Sequence, residues 1–450
     1  MKQAVGKLEE HRFSIETGGE RLLPRYEALV GSDIIDELSS YRERFKGKKI
    51  IHVNSTFIGG GVAELLRREV RLSNELGIEM EWYKIHGDDE FFNTTKGFHN
   101  ALQGKAPDDP QSLITQYHHF YNNGGGELNR HLIDYLKGVD SDHTVLIHDP
   151  QPLYLINFMD EVEAIKLWRI HIDTTSPEPH TMCYVAEHAT KYDGIISTME
   201  HYVKPHVNGF GNLFTLPPSI DPFSDKNIEM EQDEINRRVL SHGVRRELPL
   251  IVQVSRLDPW KDPVGVIHAF DKIRNSGKEC QLALVYNSAS DDPEGAEMER
   301  IVRAERKKSP YKDDILLVVG DDPRDVNAFQ RYASMVIQKS IREGFGLTVT
   351  EALYKGSLVV ATEVGGITLQ VQNHSTGYTV NPYQVDCKGR AICNREYDEH
   401  ITSLAERCIH ILNSPDVRQS ISRNGRATVL NNFLATSKLK RLYDIILSFE

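Results

Sequence analysis

The sequence predicts an α/β protein made of two doubly wound parallel sheets. Three observations carry this expectation. Short, nearly continuous apolar runs recur along all 450 residues and alternate with stretches whose apolar positions fall at helical spacing. A strand, a glycine-bearing turn and a helix start occur in both halves, from Lys48 to Gly61 and again from Met335 to Ala352. A chain of this length exceeds one ordinary core, so two domains are expected. Ligands of open α/β sheets sit beyond the carboxyl ends of the strands, and with two such sheets face to face the expected site is a central cleft.

The first half opens with a charged segment, residues 1–46, read as a peripheral extension. Lys48–Asn54 is the first strand, and Ser55–Gly61 is its turn. Val62, Leu65, Leu66 and Val70 then give a helical stripe, with Gly77 past its end. Glu81–Ile85, Thr144–Asp149, Leu167–Asp173, Gly194–Thr198 and Leu213–Leu216 are the further strands, and Asn122–Gly126 is read as a flexible break between helices. Pro217-Pro218-Ser-Ile-Asp-Pro222 is a stiff, non-helical linker and the expected boundary.

The second half restarts the pattern. Leu250–Ser255 is a strand, and Asp262-Pro263 reads as an N-cap and first helical residue. Val266, Ile267, Phe270 and Ile273 form the stripe of the helix that follows. Gln281–Tyr286, Ile315–Val319, Met335–Ile337 and Leu358–Ala361 complete the strands, with a helix over Asp325–Ala333. The last helix carries Leu439, Leu442, Tyr443, Ile446 and Leu447 on one face. The expected domains are therefore 1–217, 218–428, and a terminal segment 429–450 that packs back on the first.

Bulk properties narrow the partners. Hydrophobic residues are 39% and charged residues 26%, the balance of a soluble globular chain. A net charge of -12 argues against coating nucleic acid or an anionic membrane, while leaving room for a local basic pocket. The five cysteines (Cys183, Cys280, Cys387, Cys393 and Cys408) show no zinc spacing and suit a reducing cytoplasm; a Cys387–Cys393 loop disulfide is the minor alternative. Met1–Glu10 lacks the apolar core of a signal peptide, and no run reaches membrane-spanning length, so a cytoplasmic location is expected. The sequence is compatible with a homodimer.

The chemistry centres on Ser340–Gly356. After an apolar strand come two glycines, Gly344 and Gly346, then helix formers and a terminal glycine. Such a turn aims N–H groups at an anion, and the carboxylates Glu343 and Glu351 beside it suit sugar hydroxyls. A plain turn with two surface glutamates is the competing reading. Arg256 and Lys261, five residues apart beside a helix start, suit a diphosphate and the charge that builds on it as it leaves. Two solvated cations would look the same. His171 and Asp173, two apart in an extended run, would share a face and could orient a hydroxyl; a satisfied core histidine is the alternative. Asp88-Asp89-Glu90 would suit Mg²⁺, whereas a helix cap is the simpler reading there and at Asp321-Asp322. No metal ligand set and no obligatory cofactor are expected. Neither a P-loop nor a GxGxxG fingerprint is present.

Taken together, Gly59-Gly-Gly61, His171, Arg256 with Lys261, Glu343-Gly-Phe-Gly-Leu-Thr-Val-Thr-Glu351 and Val364-Gly-Gly366 resemble the retaining family 4 nucleotide-sugar glycosyltransferases of the GT-B fold. Asn54–Glu64, Gly87–Lys96, Ile147–Pro152, Trp168–Asp173 and Ser255–Pro263 are similar to the trehalose glycosyltransferring synthases, a group that includes trehalose phosphorylases. The resemblance covers residues 48–450 and implies transfer of glucose from a nucleotide diphosphate to the anomeric hydroxyl of glucose. It implies Arg256 and Lys261 on the diphosphate, with the backbone of Phe345, Gly346 and Leu347 assisting. Glu343 would take the donor sugar, Glu351 the ribose and His171 the transferred glucose. Gly60, Gly61 and Gly365 would shape the phosphate and acceptor side. Other acceptors (glycerate, a sugar phosphate, phosphate) and a non-catalytic nucleotide-sugar-binding protein are the rival expectations.

Overall fold

A computed structural model of the chain describes residues 8–14, 20–58, 60–287, 293–386 and 391–450. Gly59 and Cys387 lie outside the described residues. The chain divides into two units, Met1–Ser219 with Ala435–Glu450, and Ile220–Leu434.

The first unit holds six parallel strands: β1 (Lys49–Asn54), β2 (Glu79–Lys84), β3 (Thr144–His148), β4 (Ile165–Arg169), β5 (Gly194–Ser197) and β6 (Leu213–Thr215). Their order is β2-β1-β3-β4-β5-β6. Side chains alternate across a strand, so one face carries Ile51, Val53, Val145, Ile147 and Trp168 into a common core. The other face carries His52, His148 and Arg169, all buried. The helix Gly60–Glu75 follows β1, as its apolar stripe predicts, and Gly77 takes φ +82 just past it.

Two expectations fail here. Asn122–Gly126 is no break: Tyr121–Gly125 forms a π-helical turn that continues the helix Pro110–Phe120. Glycine suits it because a Cβ at Gly125 would lie 2.2 Å from the Phe120 ring, while Tyr121 anchors the turn by donating to the Gln151 carbonyl at 2.5 Å. The strand expected over Leu167–Asp173 stops at Arg169. Beyond it the Asp149 carboxylate, not a neighbouring strand, accepts from the His171 N–H at 2.8 Å. His171 and Asp173 therefore do not share a strand face. Asp173 turns to Thr175, accepting from its N–H at 2.9 Å and its hydroxyl at 2.5 Å.

The helix Ala435–Leu447 belongs to this unit. It buries Leu439, Leu442, Tyr443 and Ile446. Lys438 pairs with Glu69 on the helix Gly60–Glu75, and the Tyr443 hydroxyl donates to Ser73 at 2.9 Å. Residue 428 falls inside the preceding helix, Pro415–Asn432.

The second unit repeats the plan with β7 (Leu250–Val254), β8 (Gln281–Tyr286), β9 (Ile315–Val319), β10 (Met335–Gln338), β11 (Val359–Thr362) and β12 (Tyr378–Val380), in the order β12-β11-β10-β7-β8-β9. All neighbours are parallel. The helix Pro263–Asn275 packs Val266, Ile267, Phe270 and Ile273 into a core of its own. The sequence reading missed β12. It has only three residues, and it docks because Gly377 comes so near β11 that a Cβ there would lie 2.7 Å from the Val359 carbonyl oxygen. Among the described residues no helix is long and apolar enough to cross a membrane.

Candidate active site

Each sheet has one place where the strand order reverses, and open α/β sheets bind ligands outside that point. In the second unit it lies between β7 and β10. The loops leaving these strands carry Arg256–Lys261 and Lys339–Gly346. The Lys261 ammonium donates to Glu343 Oε2 at 2.6 Å, and the Ser340 hydroxyl donates to the same oxygen at 3.1 Å. Gln253 on β7 donates to the Lys261 carbonyl at 3.1 Å. The Ile341 N–H bonds the Trp260 carbonyl at 2.7 Å, and the Arg342 guanidinium lies 5.0 Å over the Trp260 ring. Two loops far apart in sequence are thus one structure. Arg256 stands apart. Its side chain is 74% exposed and meets Asp258 at 3.1 Å.

A buried ion pair supports these loops. Lys339, with a side chain 0% exposed, bonds Asp262, whose Oδ2 also accepts from the Tyr383 hydroxyl at 2.7 Å. The rings of Tyr383 and Tyr397 lie 4.7 and 5.1 Å from the ammonium. Asp262 takes φ +41 and caps the helix Pro263–Asn275 as its sequence position suggests, accepting from the Gly265 N–H at 2.9 Å. Burial pulls the Lys339 ammonium below the usual lysine range, and Asp262 opposes that pull.

The glycine loop is pinned from below. Gly346 takes φ +87 and begins the helix Leu347–Tyr354, with its missing Cβ 3.2 Å from Glu343 Cγ. A Cβ at Gly366 would fall 2.5 Å from Phe345 Cα, so the segments around Gly366 and Phe345 touch backbone to backbone. The Gly366 N–H donates to the Glu343 carbonyl at 3.2 Å. Gln370, fully buried, donates to the Phe345 carbonyl at 2.6 Å and accepts from the Thr350 hydroxyl at 2.6 Å. Gly365 takes φ +47 beside it, and Leu347 is half-buried. Glu343 and Glu351 occupy unlike surroundings. Glu351 is only 6% exposed, near Lys355, whose ammonium donates to Asn227 and Gln330 at 2.7 and 2.8 Å. Burial pulls Lys355 down to about 7, against the opposing charge of Glu351.

In the first unit the order reverses between β1 and β3. Asp149, just past β3, is held at φ +62, a region non-glycine residues rarely occupy and one often met at functional sites. Its N–H bonds the Arg169 carbonyl at 2.8 Å, and its own carbonyl accepts from the Trp168 indole at 3.0 Å. Burial pushes the Asp149 carboxyl up to about 7, with the His171 N–H and Arg169 opposing. His171, half-buried, meets a second histidine: its Nε2 lies 3.1 Å from His148 Nδ1. His148 Nε2 in turn lies 2.9 Å from His52 Nδ1. Gly60 and Gly61 open the helix after β1, and Gly61 is exposed.

The acidic runs have structural duties. Asp88 caps the helix Asp89–Leu102 by accepting from Phe91 N–H at 2.8 Å. Asp322 caps the helix Pro323–Tyr332 and pairs with Arg238 at 2.8 Å. Among the described residues no cluster of three or more His, Cys, Asp or Glu has the makings of a metal site. Sequence reasoning overlooked His52, His148, Lys339, Gln370 and Tyr383. The histidines left a trace: each of the three follows an isoleucine, at Ile51-His52, Ile147-His148 and Ile170-His171, near the end of an apolar run.

Comparison with known proteins bears on this geometry. Residues 52–204 match the family model described as trehalose synthase, N-terminal domain, and residues 235–428 match glycosyl transferases group 1. The chain is 38% identical to a trehalose synthase of Pyrococcus horikoshii, over 96% of this chain and 97% of the relative. It is 36% identical to a trehalose synthase of Rubrobacter xylanophilus, over 94% and 95%. A trehalose phosphorylase of Pleurotus sajor-caju is 28% identical over 88% of this chain and 57% of its own. Among solved structures, a UDP-forming α,α-trehalose-phosphate synthase of Burkholderia vietnamiensis shares the fold, with TM-score 0.66, 16% identity, and 88% of this chain and 98% of that one covered. Two parallel sheets, each with polar groups gathered at its switch point, and likeness running through both units make this chain a GT-B hexosyltransferase that belongs to the trehalose synthase family.

Proposed function

We propose that this enzyme moves glucose from a nucleoside diphosphate glucose to the anomeric hydroxyl of a second glucose, giving α,α-trehalose, and that it runs in both directions. The observation that carries the reading is the likeness to trehalose synthases through both units, including the half that the trehalose synthase model matches. The cluster at the β7/β10 switch point supports the donor half.

In this reaction the bond from the glucosyl C1 to the diphosphate oxygen breaks and a bond from C1 to the acceptor O1 forms on the same face. The acceptor proton passes to the departing phosphate oxygen. Negative charge builds on the diphosphate, so the enzyme's task is to place cations there without reorganisation. Lys261 is suited to it. Its ammonium has three donors, and Glu343 takes one at 2.6 Å. Arg256, exposed, would fold onto the phosphates when the donor binds. Glu343 would meet a hydroxyl of the donor sugar, and Glu351 would meet the ribose. The N–H groups at the start of the helix Leu347–Tyr354, near Phe345 and Gly346, would face the phosphates. His171 would bond the transferred glucose. Lys261 and Arg256 would together bring two positive charges to the diphosphate.

The phosphorylase relatives favour one second reading, in which phosphate takes the glucosyl group from trehalose and free glucose leaves. A panel separates the two. UDP-, ADP- and GDP-glucose are each offered with glucose and with glycerate, and trehalose is offered with phosphate alone, all with and without Mg²⁺, and products are read by NMR. The proposal expects α,α-trehalose from glucose with at least one donor, and donor regenerated from trehalose and the matching nucleotide. No α,α-linked disaccharide with any donor overturns it.

A further inference from the structure

The three histidines of the first unit form a single row. In the parallel register His52 on β1 stands beside Leu146, and His148, two residues further along β3, stands beside Arg169 on β4. His171 is two residues further again. Strand alternation puts His52 and His148 on one face of the sheet, and His171, just past the end of β4, is joined to the row by its ring contact with His148. The rings overlap with centroids 5.1 and 5.4 Å apart and interplanar angles of 29° and 18°. Nitrogens meet end to end, at 2.9 Å from His52 to His148 and 3.1 Å from His148 to His171.

This arrangement permits only two proton patterns. Burial, with Arg169 and Lys438 nearby, holds all three rings neutral, so each carries one N–H. Each contact needs one donor and one acceptor. Either every ring is protonated on Nδ1 and donates outward, from His52 through His148 to His171, or every ring is protonated on Nε2 and donates inward. The inward pattern leaves the His52 Nε2–H as a buried donor with no acceptor among the described residues. It also aims that N–H into surroundings made positive by Lys438 and Arg169. The outward pattern leaves a lone pair there, which those cations favour. Among the described residues His52 Nε2 lacks a partner in either pattern, so the neighbouring cations decide between them in favour of the lone pair.

We propose that His52 and His148 are positioning residues that lock His171 as the Nδ1–H tautomer, so that its free ring nitrogen is a hydrogen-bond donor towards an oxygen of the bound sugar. A free imidazole could offer either a donor or a lone pair at that position. The row removes the choice before the substrate arrives. This rests on the proposed function only for the identity of the ligand. The tautomer is a property of the free enzyme.

The test uses the full chain labelled with ¹⁵N-histidine, with His171→Asn to assign the His171 signals. In the wild type, without substrate, His171 should show a protonated Nδ1 and an unprotonated Nε2. In His148→Phe, which keeps a ring but no nitrogen, the Nδ1–H population should fall and the Nε2–H form should appear. His52→Phe, at the far end, should give a smaller shift in the same direction and serves if the first variant does not fold. Where glucosyl transfer is observed, His148→Phe should lower kcat/KM by about three- to tenfold, the worth of one ordinary hydrogen bond. His171 found as Nε2–H in the wild type, or unchanged in both variants, overturns the proposal. If the tautomers behave as stated and no trehalose forms, the functional reading fails and the row stands.

Discussion

Removing the ammonium of Lys339 tests how the donor loops are held. Lys339→Met keeps the volume and apolar stem of the side chain but strands the carboxylate of Asp262, whose side chain is 11% exposed. Among the described residues Asp262 would retain the Tyr383 hydroxyl at 2.7 Å and the Gly265 N–H at 2.9 Å. Breaking one side of a buried pair costs about 3–5 kcal/mol, because an uncompensated charge stays in a low-dielectric site. For a unit of the size of Ile220–Leu434, each kcal/mol moves Tm by about 2–4 °C, so a fall of about 6–20 °C is expected for its transition. Asp262→Asn in the same chain should restore most of it, since removing both charges leaves nothing unpaired. Calorimetry of the two single variants and the double one gives the coupling. A loss below about 1 kcal/mol in Lys339→Met, or a double variant as damaged as the sum of the singles, would show that the pair does not brace the loops.

Three further outcomes are expected. Lys261→Ala should lower kcat about 10²- to 10³-fold in the glucosyl-transfer assay while circular dichroism stays unchanged; equal turnover would remove Lys261 from the leaving-group role. Gly366→Ala should cost more stability than Gly346→Ala in urea unfolding, because the first forces backbone apart at 2.5 Å whereas the second meets the Glu343 side chain at 3.2 Å and a strained φ; the reverse order would refute the packing argument. Acid should loosen the first unit through His52. Its folded-state pKa, about 3, lies below the ordinary 6.5, so between those values the unfolded chain holds a proton that the folded one lacks, and stability falls as pH drops through that window. At about 1.4 kcal/mol per unit the ceiling is about 4–5 kcal/mol. His52→Phe should flatten the dependence between pH 4 and 6, and an unchanged slope would contradict it.

Much of this was legible in the sequence because buried parallel strands are short apolar runs, and β1, β8 and β9 follow theirs to within a residue. The Asp262 cap and the loop bearing Glu343 were legible for the same reason: local chemistry announces them. What escaped were pairings between distant residues. Nothing near Lys339 says that its ammonium will meet Asp262 and two tyrosines. Gln370 looks like any polar residue of a connecting segment until the fold lays it beneath the Phe345 carbonyl. His171 was read with its near neighbour Asp173, yet its partner lies 23 positions back, at His148. A three-residue strand such as β12 is too short for periodicity to register.

The terminal helix has a consequence for biosynthesis. The second unit begins at Ile220 and closes at Leu434, where the Ile220 N–H bonds the Phe433 carbonyl at 2.9 Å. A ribosome adds about 5–20 residues per second, so all residues of the second unit emerge while the first still lacks Ala435–Leu447. During that interval Glu69 has no Lys438 and Ser73 has no Tyr443. The half made first is therefore sealed only after the second has been made, and the nascent chain carries an open face on the helix Gly60–Glu75 until Ala435–Leu447 follows.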